Sequence, residues 1–247
     1  MIYCVSDIHG NKKAWEDIKN KINFSAEDEM YILGDVIDRG EYGVDILKEI
    51  MDSSNMHMIL GNHEYMMLNA LKDPYLRYDI QGNRTICDSQ DRNLWYYNGG
   101  KVTHKAFKAL PETDRKDILE FLHNVPINYE IDVNGRHFIL VHANVKELFY
   151  LYNSIDPSYT NAIEFAVWDR RCVELAHQLL QLPDDFIIIH GHTPTINLVE
   201  REEPMMSVYN HSYNCIDIDC GAAYPGAPYG GRLACICLDN MEITYSE

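Results

Sequence analysis

The sequence predicts an α/β fold built around a largely parallel β-sheet, and two features support this. Apolar runs at residues 1–6, 29–33 and 56–60 are typical of buried strands. Between them, helical patterns at Lys13–Ile22 and Val44–Met51 place apolar residues on one face. Alternation of strands with helices indicates βαβ units, whose parallel strands end at a common edge of the sheet.

The middle of the chain, from about residue 65 to 126, has a helical and irregular pattern. Thr113–Val125 is predicted as an amphipathic helix with Thr113 as its N-cap. The turn-rich tract Asn83–Gly100 is predicted to be a surface insertion. We therefore expect a single domain over residues 1–247 that carries a helical insertion at about residues 70–126.

The last part of the chain returns to β-structure. Residues 127–144 read as a hairpin that turns at Asn134-Gly135, a pair favoured in tight hairpin turns. A helix is predicted near Arg171–Leu180. Four further strand patterns follow, at residues 186–192, 215–221, 230–238 and 241–245, with a turn at Asp239-Asn240 joining the last two.

Composition limits the function classes. The 247 residues include 21 Lys and Arg against 38 Asp and Glu, a net charge of −17, which argues against nucleic-acid binding because that needs a basic face. No apolar stretch is long enough to span a bilayer, and the N-terminus becomes polar too early for a signal peptide. The seven cysteines show no CxxC pair, so we expect a cytoplasmic location. Nothing in the sequence indicates an oligomeric state.

Five polar clusters each follow an apolar run of strand character. The first three are separated by about one βα unit. In sequence order the clusters occupy residues 7–10, 34–40, 61–64, 141–144 and 190–194.

Side chains in these clusters can bind two divalent metal ions. Asp7 and His9 stand two residues apart, so in an extended segment both point the same way and can share an ion. Asp35 can bind that ion with one oxygen and a second ion with the other. Oxygen and nitrogen ligands without thiolate suit Mn, Fe or Zn better than Ca, and two ions about 3.5–4 Å apart can clamp a phosphoryl displacement. Three residues at further strand ends complete the second site: Asn62, His142 and His192.

The GNHE and DRG segments add groups for acid catalysis and phosphate binding. Asn62 offers a neutral oxygen, which leaves the metal cluster positive enough to attract a phosphate. His63 is free to donate a proton, and Asp38 is the expected partner that holds it protonated and oriented. Arg39 presents a planar fork to phosphate oxygens. Glu64 is predicted to be a structural partner of its loop.

These motifs resemble those of the calcineurin-like metallophosphoesterase superfamily and, within it, the bacterial and phage branch of the phosphoprotein phosphatase family. The family pattern is GDxHG, GDxxDRG, GNHE, a short HAG-like motif and a late GH. The order and spacing extend over essentially the whole chain. The corresponding segments are SDIHG (6–10), GDVIDRG (34–40), GNHE (61–64), VHAN (141–144) and GHTP (191–194).

The resemblance implies a four-layer αββα sandwich, in which two mixed β-sheets flanked by helices hold a dinuclear site at their centre. A metal-bridging hydroxide would attack phosphorus in line. Mn²⁺ is the first choice of metal, with Fe or Zn as alternatives. By analogy the first ion takes Asp7, His9 and Asp35, and the second takes Asp35, Asn62, His142 and His192.

The resemblance also assigns the residues around the substrate. His63, paired with Asp38, would act as the general acid. Arg39, Asn62 and a second arginine in a W-x-R context would bind the phosphate. Trp168-Asp169-Arg170 supplies that context, so Arg170 is the predicted residue and Arg171 the alternative.

Three departures from the family pattern stand out. Ser6 replaces the glycine before the first aspartate, and Asn144 replaces the glycine of HAG. Neither is a ligand position, so both are interpreted as changes in packing or pocket shape. Residues 225–229 resemble a local insertion in the closing DTG…GGxL segment, which puts substrate preference in question.

The leading function is a serine/threonine protein phosphatase, whose partner would be a phosphorylated protein or peptide. The alternative is a symmetrical diadenosine tetraphosphatase, but that branch tends to show GNHD and to lack the aspartate, whereas this chain has Glu64 and Asp38. Phosphodiesterases of the wider superfamily end in GHxH, where this chain has Pro194. A non-catalytic pseudophosphatase would lack a metal ligand or the acid, and none is missing here.

Overall fold

The first of two five-stranded sheets contains the N-terminal strands. The computed structural model describes residues 1–71, 89–154, 158–171, 173–198, 207–211, 214–226 and 230–247. The first sheet has the order β10-β9-β1-β2-β3, in which β1, β2 and β3 are parallel and β9 is antiparallel to both neighbours. Its strands are β1 (Ile2–Val5), β2 (Glu29–Ile32), β3 (Met56–Met58), β9 (Ala234–Cys237) and β10 (Ile243–Tyr245).

The second sheet contains the remaining strands in the order β4-β5-β6-β8-β7. The pairs β5-β6 and β6-β8 are parallel, whereas β4-β5 and β7-β8 are antiparallel. The hairpin turns at Asn134-Gly135 as predicted, and both residues have positive φ angles. The strands are β4 (Asn128–Val133), β5 (Arg136–Val141), β6 (Phe186–His190), β7 (Tyr209–His211) and β8 (Cys215–Asp217).

Nine α-helices are found in the described ranges. None of them is long and apolar enough to cross a membrane. They are α1 (Lys12–Lys21), α2 (Gly43–Asp52), α3 (Asn62–Ala70), α4 (Ser89–Tyr97), α5 (Lys101–Ala109), α6 (Glu112–Asn124), α7 (Phe149–Asn153), α8 (Ala162–Trp168) and α9 (Ala176–Leu179).

Three hydrophobic clusters hold the layers together, and the alternation of side chains along each strand explains them. Leu33, Phe138 and Ile189 belong to the buried cluster between the two sheets. The opposite face of the first sheet packs on α1, α2 and α3, and that of the second packs on α7 and α8. Full burial of each large apolar side chain stabilises the fold by about 1.5–3 kcal/mol. The predicted four-layer αββα sandwich of mixed sheets is confirmed.

The helical region differs from the prediction in two places. Helix α6 begins at Glu112 after Pro111, so the prediction of Thr113 as N-cap is wrong; the proline ring already fixes a φ angle suited to the start of a helix. Within the predicted insertion, residues 72–88 lie outside the described part of the chain. Residues 89–97, part of the tract predicted to be a surface insertion, form α4, which is exposed over most of its length but buries Trp95 completely.

The segment between β5 and β8 is also more irregular than predicted. In place of one helix at Arg171–Leu180, the structure has a 3-10 turn at Val173–Leu175 and the four-residue α9. Helices α7 and α8 and the short edge strand β7 have no counterpart in the sequence prediction.

Candidate metal centre

The predicted site residues converge at the carboxyl ends of five strands. Because parallel strands end at the same edge of their sheet, the loops that follow them meet. The first sheet contributes residues after β1, β2 and β3, and the second contributes residues after β5 and β6. In order, these are Asp7 and His9, Asp35 to Arg39, Asn62 and His63, His142, and His192.

The loops are tightly wound and not extended. Six of the predicted site residues have φ angles in the left-handed region, from 48° to 71°. The expectation of an extended Asp7–His9 segment is therefore wrong, although the two side chains still converge. Backbone hydrogen bonds from His9 to Asp35 (2.9 Å) and from Gly10 to Val36 (2.8 Å) stabilise this conformation. The six residues are Asp7, His9, Asp35, Asp38, Arg39 and His192.

Glu64 fixes the second of these loops. Its buried carboxylate accepts backbone hydrogen bonds from Asp35 and Val36 at 2.9 Å and from Ile37 and Gly61 at 3.2 Å. Hydrogen bonds from backbone N–H groups to a carboxylate are among the stronger ones in proteins. The predicted structural role of Glu64 is thus confirmed.

The two oxygens of Asp35 face different groups of donor atoms. Oδ2 lies 3.6 Å from Nε2 of His9, and Oδ1 lies 3.5 Å from Nε2 of His142. On the first side, Asp7 Oδ1 lies 3.8 Å from the same His9 nitrogen. Asp35 therefore stands between two groups of potential ligands, as a bridging carboxylate must.

Asn62 occupies the centre of the second group. Its Oδ1 lies 3.0 Å from Nε2 of His142 and 2.9 Å from Nδ1 of His192. The His142 ring is oriented by its other nitrogen, which lies 2.6 Å from the carbonyl oxygen of Leu33. An amide oxygen and two imidazoles thus converge on one point.

The charges of this site suit cations. Burial, together with the neighbouring Asp7 and Glu64, raises the pKa of Asp35 well above its ordinary value. Burial also lowers the pKa of His9 and His192 well below the usual range, so their rings are neutral and can bind a metal. Buried carboxylates and neutral imidazoles form a donor set that divalent transition metals fit.

His63 and Asp38 form a buried pair at the edge of this site. Nδ1 of His63 lies 2.7 Å from Asp38 Oδ2, which fixes the ring. Burial, and secondarily the Arg39 guanidinium, lowers the pKa of His63, while burial raises the pKa of Asp38 to about 7. The predicted pairing of His63 with Asp38 is present, whereas burial disfavours the imidazolium that was expected for His63.

Trp95 is a contact of this pair that sequence reasoning missed. Its indole Nε1 donates a hydrogen bond of 2.8 Å to Asp38 Oδ2, the same oxygen that faces His63. Thr103 Oγ1 accepts from the Asp38 backbone N–H at 2.9 Å. The sequence feature that could have indicated a buried role for Trp95 is the aromatic Trp-Tyr-Tyr segment within an otherwise polar tract.

The two predicted arginines approach the site from different sides, and both are exposed. The guanidinium of Arg39 points inward, with Nη1 at 3.0 Å from Nε2 of His9 and Nη2 at 3.2 Å from Nε2 of His63. Arg170 donates at 3.0 Å to the His192 carbonyl oxygen. The alternative, Arg171, forms a 2.7 Å ion pair with Asp169 instead.

The departures from the family pattern have structural explanations. Ser6 Oγ donates a 2.5 Å hydrogen bond to Asp7 Oδ2. Asn144 donates through Nδ2 to Asp169 Oδ1 at 3.1 Å, which ties its loop to the segment that carries Arg170. Of the predicted local insertion at 225–229, residues 227–229 lie outside the described residues.

Comparison with known proteins identifies related sequences. The family model "calcineurin-like phosphoesterase" matches residues 1–218. Serine/threonine-protein phosphatase 2 of Salmonella typhimurium is 27% identical over 173 residues, 68% of this chain and 67% of that protein. The symmetrical bis(5'-nucleosyl)-tetraphosphatase of Delftia acidovorans is 29% identical over 147 residues, 58% of this chain but only 44% of that protein.

Solved structures share the same fold. A serine/threonine protein phosphatase from Saccharomyces cerevisiae superposes with a TM-score of 0.58 at 12% identity, covering 100% of this chain and 79% of that one. A putative diadenosine tetraphosphatase gives a TM-score of 0.55 at 15% identity, covering 99% and 91%. At these identities the likeness concerns the fold alone.

Gly191 provides a test of the centre. A Cβ atom there would lie 2.1 Å from Ser6 Oγ and 2.2 Å from Asp7 Oδ2, so Gly191→Ala must displace the loop that carries His192. We expect Gly191→Ala to weaken Mn²⁺ binding roughly 10–100-fold, as changes beside metal ligands do, when measured by isothermal titration calorimetry. Gly226→Ala is the matched control, because nothing lies within 4 Å of its added Cβ. Unchanged affinity in Gly191→Ala would contradict the assignment.

Proposed function

The chain belongs to the calcineurin-like phosphoesterase family, and on that basis we propose that it is a serine/threonine protein phosphatase that requires two divalent metal ions. As a member of this family it is a metallophosphoesterase hydrolase. The observation that carries the proposal is Asp35, whose two oxygens face separate groups of donor atoms beside the His63–Asp38 pair.

The donor set supports a dinuclear centre. One ion would be held by Asp7, His9 and Asp35, and the other by Asp35 and three further side chains. When bound, the two ions supply positive charge to the phosphate and activate a water molecule as the nucleophile. Mn²⁺ is the proposed metal, with Fe or Zn as alternatives suited to the same atoms. The three further ligands are Asn62, His142 and His192.

Arg39 and Arg170 are proposed to bind the phosphate together with Asn62. Charge-assisted bonds to phosphate oxygens are stronger than bonds to neutral imidazoles, so a substrate would draw the Arg39 fork away from His9 and His63. That movement would free Nε2 of His63 to carry a proton toward the substrate.

His63 is proposed as the general acid. Water adds its oxygen to phosphorus and releases one proton, the bond from phosphorus to the serine or threonine oxygen breaks, and that oxygen takes a proton from Nε2 of His63. The proton released by the water restores the one that His63 has given up. The products are inorganic phosphate and the free hydroxyl side chain. Asp38 acts as a positioning residue, and the hydrogen bond from Trp95 stabilises its anionic form.

A cleft of about 360 Å³ beside Arg39 is a candidate site for the leaving group. Lys12, Lys13 and Tyr42 are among its lining residues. An open cleft with cationic side chains suits a phosphorylated peptide segment, which is the proposed substrate and partner. The protein phosphatase is also the relative matched over the larger share of its own length, 67% against 44%.

A symmetrical dinucleoside tetraphosphatase is the second candidate. The observation that favours it is the same cleft, because the exposed ring of Tyr42 could stack on a base while the lysines face the phosphate chain. The presence of Asp38 and Glu64 supports the phosphatase instead.

A cytoplasmic location is part of the proposal. It is supported by five buried cysteines in the described residues that are free of disulfides: Cys4, Cys215, Cys220, Cys235 and Cys237.

The proposed substrate class can be tested directly. Metal-stripped protein resupplied with Mn²⁺ should release phosphate from phosphoserine and phosphothreonine peptides at least roughly tenfold faster than it cleaves diadenosine tetraphosphate, a difference of about 1.4 kcal/mol in barrier. Phosphate release and dinucleotide products are measured at equal substrate concentration. Preference for the dinucleotide would replace the first candidate by the second.

His63→Asn tests the general acid. We expect its kcat to fall roughly 10²–10⁴-fold on a phosphoserine peptide, whose alkoxide needs a proton, and far less on p-nitrophenyl phosphate, whose phenolate leaves unaided. Steady-state kinetics on both substrates measure the split. Equal losses on the two substrates would reject the acid role.

Trp95→Phe tests the positioning of that acid. Loss of a hydrogen bond to a carboxylate costs about 1.5–3 kcal/mol, so kcat on the peptide should fall roughly 10–100-fold with KM unchanged. The loss should again be smaller on p-nitrophenyl phosphate. Trp15→Phe is the matched control, because this buried indole donates to Glu49 away from the site. Equal effects of the two substitutions would show that Trp95 only stabilises the fold.

A further inference from the structure

A second group of possible metal ligands lies on the second sheet, apart from the centre described above. It consists of His190, His211 and Asp217, whose ligand atoms all lie within 4.8 Å of one another. The three residues come from β6, β7 and β8, which are neighbours in the sheet.

The register of the strands explains why the three side chains meet. His190 stands opposite Asp217 in the parallel pair β6-β8. His211 stands opposite Cys215 in the antiparallel pair β7-β8, two residues before Asp217. Since side chains two residues apart lie on the same face, all three project on one side. That side is the outer face, because Cys215 belongs to the cluster under the helices and not to the one between the sheets.

Two ligand atoms in this group are buried without a hydrogen-bond partner among the described residues. They are Nε2 of His190 and Oδ2 of Asp217, in side chains that are 2% and 0% exposed. A buried polar atom left without a partner costs about 1–3 kcal/mol. Two such destabilising atoms therefore lie close enough together for one ion to bind both.

The remaining atoms of the two side chains are already engaged. Nδ1 of His190 lies 3.1 Å from the Gly191 carbonyl oxygen, which can only accept a hydrogen bond, so this contact favours the tautomer in which Nδ1 carries the proton and Nε2 presents a lone pair. Oδ1 of Asp217 accepts from the Asp219 backbone N–H at 2.9 Å, which leaves Oδ2 directed at the group. Both orientations are those expected of metal ligands.

A cation would also offset the charge burial at this place. Burial, and secondarily the carboxylate of Asp219, raises the pKa of Asp217 well above its ordinary value. The rings of His190 and His211 are 5.4 Å apart between centroids, close enough for a shared ligand. His211 is half-buried and lies on the edge strand β7.

We propose that His190, His211 and Asp217 bind a third divalent ion, namely zinc. Two imidazoles and one carboxylate form a three-residue zinc set that leaves a fourth position for water. The ion would join the edge strand β7 to β6 and β8, and through Gly191 it would brace the loop that carries His192. The site is independent of the proposed phosphatase activity.

The test counts zinc ions bound to the full chain. Chelator-treated protein is saturated with Zn²⁺, passed through a desalting column and analysed by mass spectrometry of the metal. We expect three ions in the unaltered protein and two in both His211→Ala and Asp217→Asn. His123→Ala, which removes an exposed histidine on α6, should retain three.

The results separate this site from the dinuclear centre. Asp35→Asn should lose ions from the centre and keep the one bound by His211, which the further change His211→Ala should then remove. Circular dichroism checks that each variant is folded. If His211→Ala is not folded, Asp217→Asn is used in its place. Equal counts with and without His211 would overturn the proposal and identify Asp217 as a protonated carboxyl. A count of two in the unaltered protein that falls to one in His211→Ala would support this site and contradict the dinuclear centre instead.

Discussion

The positions of the metal-binding candidates on the first sheet depend on the carboxylate of Glu64. This buried group holds four backbone N–H groups from the loop after β2 and from the start of α3, and so fixes both Asp35 and Asn62. The neighbouring loop after β1 is then held by hydrogen bonds to Asp35 and Val36. One buried acidic side chain therefore holds together the loops after β2 and β3 and, through Asp35 and Val36, the loop after β1.

The left-handed residues show how the site is kept close-packed. Left-handed backbone costs roughly 1–2 kcal/mol per non-glycine residue, and the surrounding hydrogen bonds offset it. This conformation lets the polar side chains that directly follow each strand turn back toward the neighbouring strand within two or three residues. Gly191 shows the limit of this packing, since even a methyl group there would overlap Asp7 and Ser6.

The sequence alone predicts the layers and the strand-end clusters, because burial of apolar runs and the order of the motifs are local properties. It does not predict Trp95, which reaches Asp38 from 57 residues away and sits in a polar tract. The sequence also does not predict the positive φ angles at Asp7 and His9, since aspartate and histidine more often adopt negative φ angles. Short elements such as β7 are fixed by their neighbours in the sheet and leave little periodicity to detect.

The strand order of the first sheet has a consequence for synthesis of the chain. Strand β1 can pair with β2 soon after both are synthesised, but its other neighbour, β9, follows it only much later in the sequence. At about 5–20 residues per second, the 228 residues between Val5 and Ala234 take on the order of 10–45 s to be synthesised. Throughout that interval the apolar strand β1 presents an open edge, the kind of template on which nascent chains associate wrongly. Correct folding in the cell should therefore depend on chaperones that protect this edge until β9 is made, although the finished sheet has no such open edge at β1.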